Sequence, residues 1–81
     1  MREVMLDLTS FEEKISLHRY LKETLGFPFY YGANLDALYD LMTDREEETV
    51  LVLGYWRQLP VLLGDYGLSL LETLRQASEA H

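Results

Sequence analysis

Apolar and polar residues alternate from Glu3 to Leu8, with Val4, Leu6 and Leu8 on one side and Met5 and Asp7 on the other. Period two predicts a short strand with one buried face. The period then lengthens. Phe11, Ile15, Leu21 and Leu25 fall at helical spacing, so a helix is expected up to about Leu25, with Ser10 as its N-cap and Glu13 completing a capping box. Gly26 closes that helix and Pro28 keeps it from resuming, which leaves Phe27 to Ala33 as a loop. Asn34 is a good N-cap for a second helix running to about Thr43.

Thr49 to Leu53, TVLVL, is a β-branched apolar run of strand length and has the composition of a buried parallel strand. Trp56 to Leu63 predicts a short helical segment with Pro60 near its first turn, and Gly64-Asp65-Tyr66-Gly67 is turn chemistry. A last helix is expected from about Leu68 to the C-terminus, with Leu70, Leu71 and Leu74 as its apolar stripe. Strands separated by helices pair in parallel through right-handed crossovers, so the order β-α-α-β-α-α predicts an α/β fold: a small parallel sheet with four helical segments packed on it.

The chain's 81 residues suit one domain over 1–81, with a modest margin of stability. Cysteine is absent, which removes disulfides and thiolate metal sites and fits a reducing compartment. The N-terminus has no apolar leader, and no run approaches the roughly 18 apolar residues that span a bilayer, so the expected location is cytoplasmic. With 14 acids against 7 bases, the formal charge of −7 disfavours nucleic acid and membrane surfaces and favours a basic protein partner.

The second helix locates that charge. Leu35, Leu38, Leu41 and Met42 share one arc, while Asp36, Tyr39, Asp40 and Thr43 share the opposite one. Asp36, Asp40 and Asp44 follow at i, i+4 and i+8 with no base at i+4, although each such like-charge neighbour costs about 0.2–0.5 kcal/mol. Asp44 and Glu46-Glu47-Glu48 also lie where the helix dipole disfavours anions, relieved only by Arg45. The Glu46 to Glu48 run reads as a solvated loop. Asp36 and Asp40 read differently, because Tyr30 and Tyr39 accompany them, and tyrosine beside carboxylate is an interface composition. Tyr31 reads as a core ring. An external cation is expected to supply the missing partner.

Enzyme chemistry has little material. His18 and His81 are the two histidines, His18 sits mid-helix where a surface or half-buried structural role is expected, and no nucleophile, phosphate-loop or zinc motif occurs. Asp36 and Asp40 alone supply too few ligands for a metal. No catalytic residue, cofactor or metal is expected.

The segment PFYYGANLDALYD resembles the inhibitory segment of the barstar family, intracellular inhibitors of barnase-type ribonucleases, and Trp56-Arg57-Gln58 resembles the family's Trp-Arg-Gln. The resemblance implies a barstar-like two-layer fold whose binding helix and preceding loop plug a ribonuclease active site. It implies further that Asp40 occupies the enzyme's phosphate pocket with Asp36 and Thr43 beside it. Tyr30 would lie against the catalytic histidine, and Gly32, Asn34 and Tyr39 would line the remainder. The implied partner is a secreted or toxin-type ribonuclease.

Some positions depart from the family. Tyr39 replaces a tryptophan, Asp44-Arg45 replaces glycine-tryptophan, and Gln76 stands where a glutamate would contact the enzyme. The sequence ends at Ser78-Glu79-Ala80-His81, where the family continues into a third strand. Without that strand, Thr49 to Leu53 becomes an exposed edge, either covered by homo-association or a partner's strand, or tolerated in a two-stranded sheet partly shielded by the last helix. The alternative function is a barstar-like interaction scaffold for a basic protein unrelated to ribonucleases.

Overall fold

The computed structural model describes residues 2–9, 11, 13–44 and 49–79. Strand β1 (Arg2–Asp7) leads to α1 (Lys14–Leu25) and α2 (Leu35–Thr43), then to β2 (Thr49–Gly54). A 3-10 turn (Trp56–Gln58) runs into α3 (Leu59–Leu63), and α4 (Asp65–Glu79) ends the fold. The two strands pair in parallel, in register from Arg2 opposite Thr49 to Asp7 opposite Gly54. One further rung follows, where the Leu8 amide donates to the Gly54 carbonyl at 3.0 Å. The element order, the parallel pairing and the helical segments match the barstar-like α/β expectation.

One face of β1 builds the core. Val4, Leu6 and Leu8 are buried against Leu17, Leu21 and Leu25 of α1, Leu38 of α2, Leu59 of α3 and Leu70 and Leu74 of α4. Each buried leucine contributes about 1.5–3 kcal/mol relative to an exposed one. α4 packs against both α2 and α3, and so holds the acid-bearing helix to the rest of the molecule. No helix among the described residues is long and apolar enough to cross a membrane.

Several local expectations are corrected. The first helix begins at Lys14, not near Phe11. Glu13 is its N-cap in extended geometry and makes no side-chain cap bond; Ser10 lies outside the described residues. Ile15 is exposed, because the buried stripe is Leu17, Leu21 and Leu25 together with His18. His18 is buried rather than at or near the surface. β2 is not the buried strand its composition suggests but the edge expected without a third strand: among the described residues it has one neighbour, all its residues are half-buried or exposed, and Leu51 and Leu53 only partly join the core.

The last helix starts at Asp65, three residues earlier than expected. Gly64 alone makes the turn, with φ 59°. Gly67 belongs to the helix and serves a close approach instead, since a Cβ there would fall 2.5 Å from the Leu59 carbonyl oxygen. The expected glutamate run 46–48, its neighbour Arg45 and residues 80–81 lie outside the described residues.

Candidate functional site

The loop between α1 and α2 is fixed at both ends by backbone chemistry. Gly26 adopts the left-handed conformation, φ 70°, and its amide and that of Phe27 both donate to the Lys22 carbonyl, which closes α1. A turn follows, with the Tyr31 amide donating to the Pro28 carbonyl at 3.0 Å. At the far end Asn34 caps α2. Its side-chain oxygen accepts from the Ala37 amide at 2.8 Å and its amide nitrogen donates to the Gly32 carbonyl at 3.2 Å. Ala33, between them, is held at φ 53°.

Tyr31 anchors this loop to the protein interior. Its ring packs at 4.8 Å from Phe27, and its hydroxyl lies 2.6 Å from Nδ1 of His18. Nε2 of His18 lies 2.5 Å from the hydroxyl of Tyr66, near the start of α4. A neutral imidazole has one donor and one acceptor nitrogen, so it can satisfy both phenols, donating to one and accepting from the other. Burial lowers the His18 pKa and raises that of Tyr66. Burial, then the nearby Tyr66 charge, pushes Tyr31 up to about 12. Lys14 places its ammonium 4.4 Å from the centre of the Tyr66 ring. The uncharged triad therefore joins the loop, α1 and α4.

The face presented by α2 is acidic and unpaired. Asp36 and Asp40 are exposed, and neither carboxylate has an ion-pair or hydrogen-bond partner among the described residues. α4 offers a contrast. There Arg75 bridges Glu72 and Glu79, which lowers the Glu72 pKa. Asp36 lies in the first turn of α2, where the helix dipole favours an anion, but Asp40 and Asp44 gain nothing from it.

Tyr39 is half-buried and Tyr30 is 72% exposed. Thr43 directs its hydroxyl back to the carbonyls of Tyr39 (2.9 Å) and Asp40 (3.2 Å), which leaves its oxygen able to accept from a partner. Asn34 is committed to the cap, so it has little to offer beyond that. Gly32 is exposed at the loop's end. Tyr30, Gly32, Asn34, Asp36, Tyr39, Asp40 and Thr43 thus belong to one loop and the helix it caps. Gln76 lies apart in sequence, exposed on α4, with its amide 3.3 Å from Glu72.

His18 and Tyr66 are absent from the expected site, yet they hold its loop in place. The signal for His18 was its place among the leucines, at i, i+3 and i+7 with Leu21 and Leu25. No local signal marks Tyr66 as its partner, because 48 residues separate them.

A two-layer α/β domain that carries an unpaired acidic helix face, bordered by a braced aromatic loop, defines the class of this molecule. The family model described as Barstar (barnase inhibitor) matches residues 1–81, and the chain belongs to the barstar family. It is 40% identical over 80 residues to the Bacillus subtilis (strain 168) protein named "Putative ribonuclease inhibitor YrdF", a match covering 98% of this chain and 88% of that one.

Proposed function

We propose that this protein inhibits a barnase-type ribonuclease by seating the outer face of α2 in the enzyme's cationic active site. The observation that carries the reading is the pair Asp36 and Asp40, exposed on one helix face with no cation of their own among the described residues. A cleft built to hold RNA phosphates is basic, and two carboxylates on a rigid helix can stand in for those phosphates. Asp40 takes the phosphate pocket, Asp36 and Thr43 contact beside it, and Tyr30 lies against the catalytic histidine. Gly32, Asn34 and Tyr39 line the remainder, with Gln76 at the margin. The role is occlusion without catalysis, as an antitoxin or immunity protein acting in the cytoplasm. Family membership and the named function of the similar Bacillus subtilis protein support it.

Co-expression with a toxic barnase-type ribonuclease tests this. Wild type should protect cells and Asp40→Ala should not; failure of wild type to protect cells or to bind the enzyme at low salt would contradict it.

A second reading rests on β2. Its outer side has no strand beside it among the described residues, and Val50 is 39% exposed. Such an edge supports pairing with a second copy of the chain, or a scaffold role for a basic protein unrelated to ribonucleases. Proline within Thr49 to Leu53 would disrupt that interaction and spare one made by α2.

A further inference from the structure

The loop Phe27 to Tyr31 carries four aromatic rings in five residues, and the turn sorts them into two pairs. Phe27 and Tyr31 face inward and pack on the core. Phe29 and Tyr30 face outward, edge to face with centroids 5.7 Å apart, at 88% and 72% exposure. Because the Tyr31 amide bonds the Pro28 carbonyl, Phe29 and Tyr30 occupy the two corners of the turn. Glycine, asparagine, aspartate, serine and proline normally serve there. Turn chemistry therefore does not explain either ring, and neither gains from burial within the chain. Phe29 is the most exposed large apolar side chain among the described residues.

The tip is also held in advance of binding. The Lys22 carbonyl fixes one end of the loop, and the Tyr31–His18 bond fixes the other. Rings with only two rotatable bonds, on a braced turn, lose little entropy when they are covered. Phe29 and Tyr30 thus have the properties of interface anchors.

Charge selects the occupant. Residues 26–44, which make up this loop and α2, contain no lysine or arginine. Single-stranded nucleic acid is held by rings set in a basic groove, and interfacial lipid anchors carry Lys and Arg beside their aromatics. Neither setting exists here. We infer that Phe29, at this tip, is an apolar anchor that enters an apolar recess on the rim of the ribonuclease's cationic cleft, beside the contact of Tyr30 with the catalytic histidine, an inference that rests on the inhibitor reading above. The acids of α2 then govern encounter and salt dependence, while Asp40 in its pocket and the tip together set residence time.

The test compares Phe29→Ala, Phe29→Tyr and Asp40→Ala in binding to catalytically inactive barnase at two salt concentrations. Phe29→Ala should raise the dissociation rate about tenfold or more, leave the association rate and its salt dependence unchanged, and keep the wild-type melting temperature. Phe29→Tyr should restore most of the residence time. Asp40→Ala should weaken the salt dependence as well as raise the dissociation rate, which separates it from Phe29→Ala. If Asp40→Ala impairs binding while Phe29→Ala stays within twofold of wild type, the anchor is overturned and the inhibitor reading stands. If wild type does not bind barnase, both fall. Sedimentation of wild type, but not of Phe29→Ala, with neutral phosphatidylcholine vesicles would make the tip a lipid anchor and overturn the assignment.

Discussion

The Tyr31 hydroxyl lies 2.6 Å from Nδ1 of His18, joining the loop that leads into α2 to the middle of α1. The same imidazole reaches Tyr66 on α4 through its other nitrogen. Removing the ring leaves the buried Tyr31 phenol and the half-buried Tyr66 phenol without their shared partner, and a buried unsatisfied group costs about 1–3 kcal/mol. His18→Ala should therefore destabilise the fold by about 2–4 kcal/mol in urea denaturation, with an unchanged m-value. Tyr31→Phe, which leaves only one imidazole nitrogen unmet, should cost about half as much.

The triad also sets two pH limits. Burial lowers the His18 pKa below 6.5, so the unfolded chain takes up a proton more readily than the folded one as pH falls. Stability from this group is fully present above about pH 6.5 and declines as pH drops toward the folded pKa, by at most about 1.4 kcal/mol per unit. At the alkaline end the sign reverses. Tyr31 keeps its proton up to about 12 in the fold against 10.0 unfolded, so its contribution is complete below pH 10 and is lost between pH 10 and 12. Denaturant midpoints measured from pH 5 to 11.5 should trace both declines. His18→Gln should flatten the acid one.

Two glycines should fail for different reasons. Gly67→Ala drives a methyl into the Leu59 backbone and should cost about 1–3 kcal/mol by pushing α3 from α4. Gly26→Ala meets no atom within 4 Å, and its penalty of about 1–2 kcal/mol arises from φ 70° alone. Asparagine, which tolerates that conformation, should recover part of the loss at position 26 and none at 67. Thermal melts of the four variants distinguish the two causes.

The side of β2 with no strand beside it among the described residues predicts concentration-dependent association. Sedimentation equilibrium should show dimer at high protein concentration, and Val50→Lys, at an exposed position on that strand, should return the chain to monomer. A monomer throughout would show that a two-stranded sheet suffices.

Most of the parts of this fold set by neighbouring residues were legible in the sequence, the start of α1 excepted. Gly26 at the end of α1, Asn34 at the start of α2, and the division of α2 into Leu38 and Asp40 faces follow from local spacing, and the structure matches them. What depended on distant packing was not legible. Ile15 has the same hydropathy as a core residue, but the face of α1 that buries Leu17 and His18 turns it toward solvent. Gly67 resembles a turn glycine until Leu59 is seen against it. TVLVL has the composition of a buried strand, yet burial requires neighbours on both sides. On the candidate surface, the exposed carboxylates and Tyr30 could be picked out from local spacing, whereas the outward pairing of Phe29 with Tyr30 required the turn.

Titrating barnase activity with wild type, Asp40→Ala and Glu23→Ala at low salt tests the central claim most directly. Asp40 lies on the unpaired acidic face and Glu23 is an exposed acid on α1. Losing one member of a buried charge pair costs about 3–5 kcal/mol, so Asp40→Ala should weaken inhibition by roughly two to three and a half decades while Glu23→Ala matches wild type. Equal inhibition by wild type and Asp40→Ala would contradict the account, because a basic cleft would then be blocked without the carboxylate assigned to its phosphate pocket.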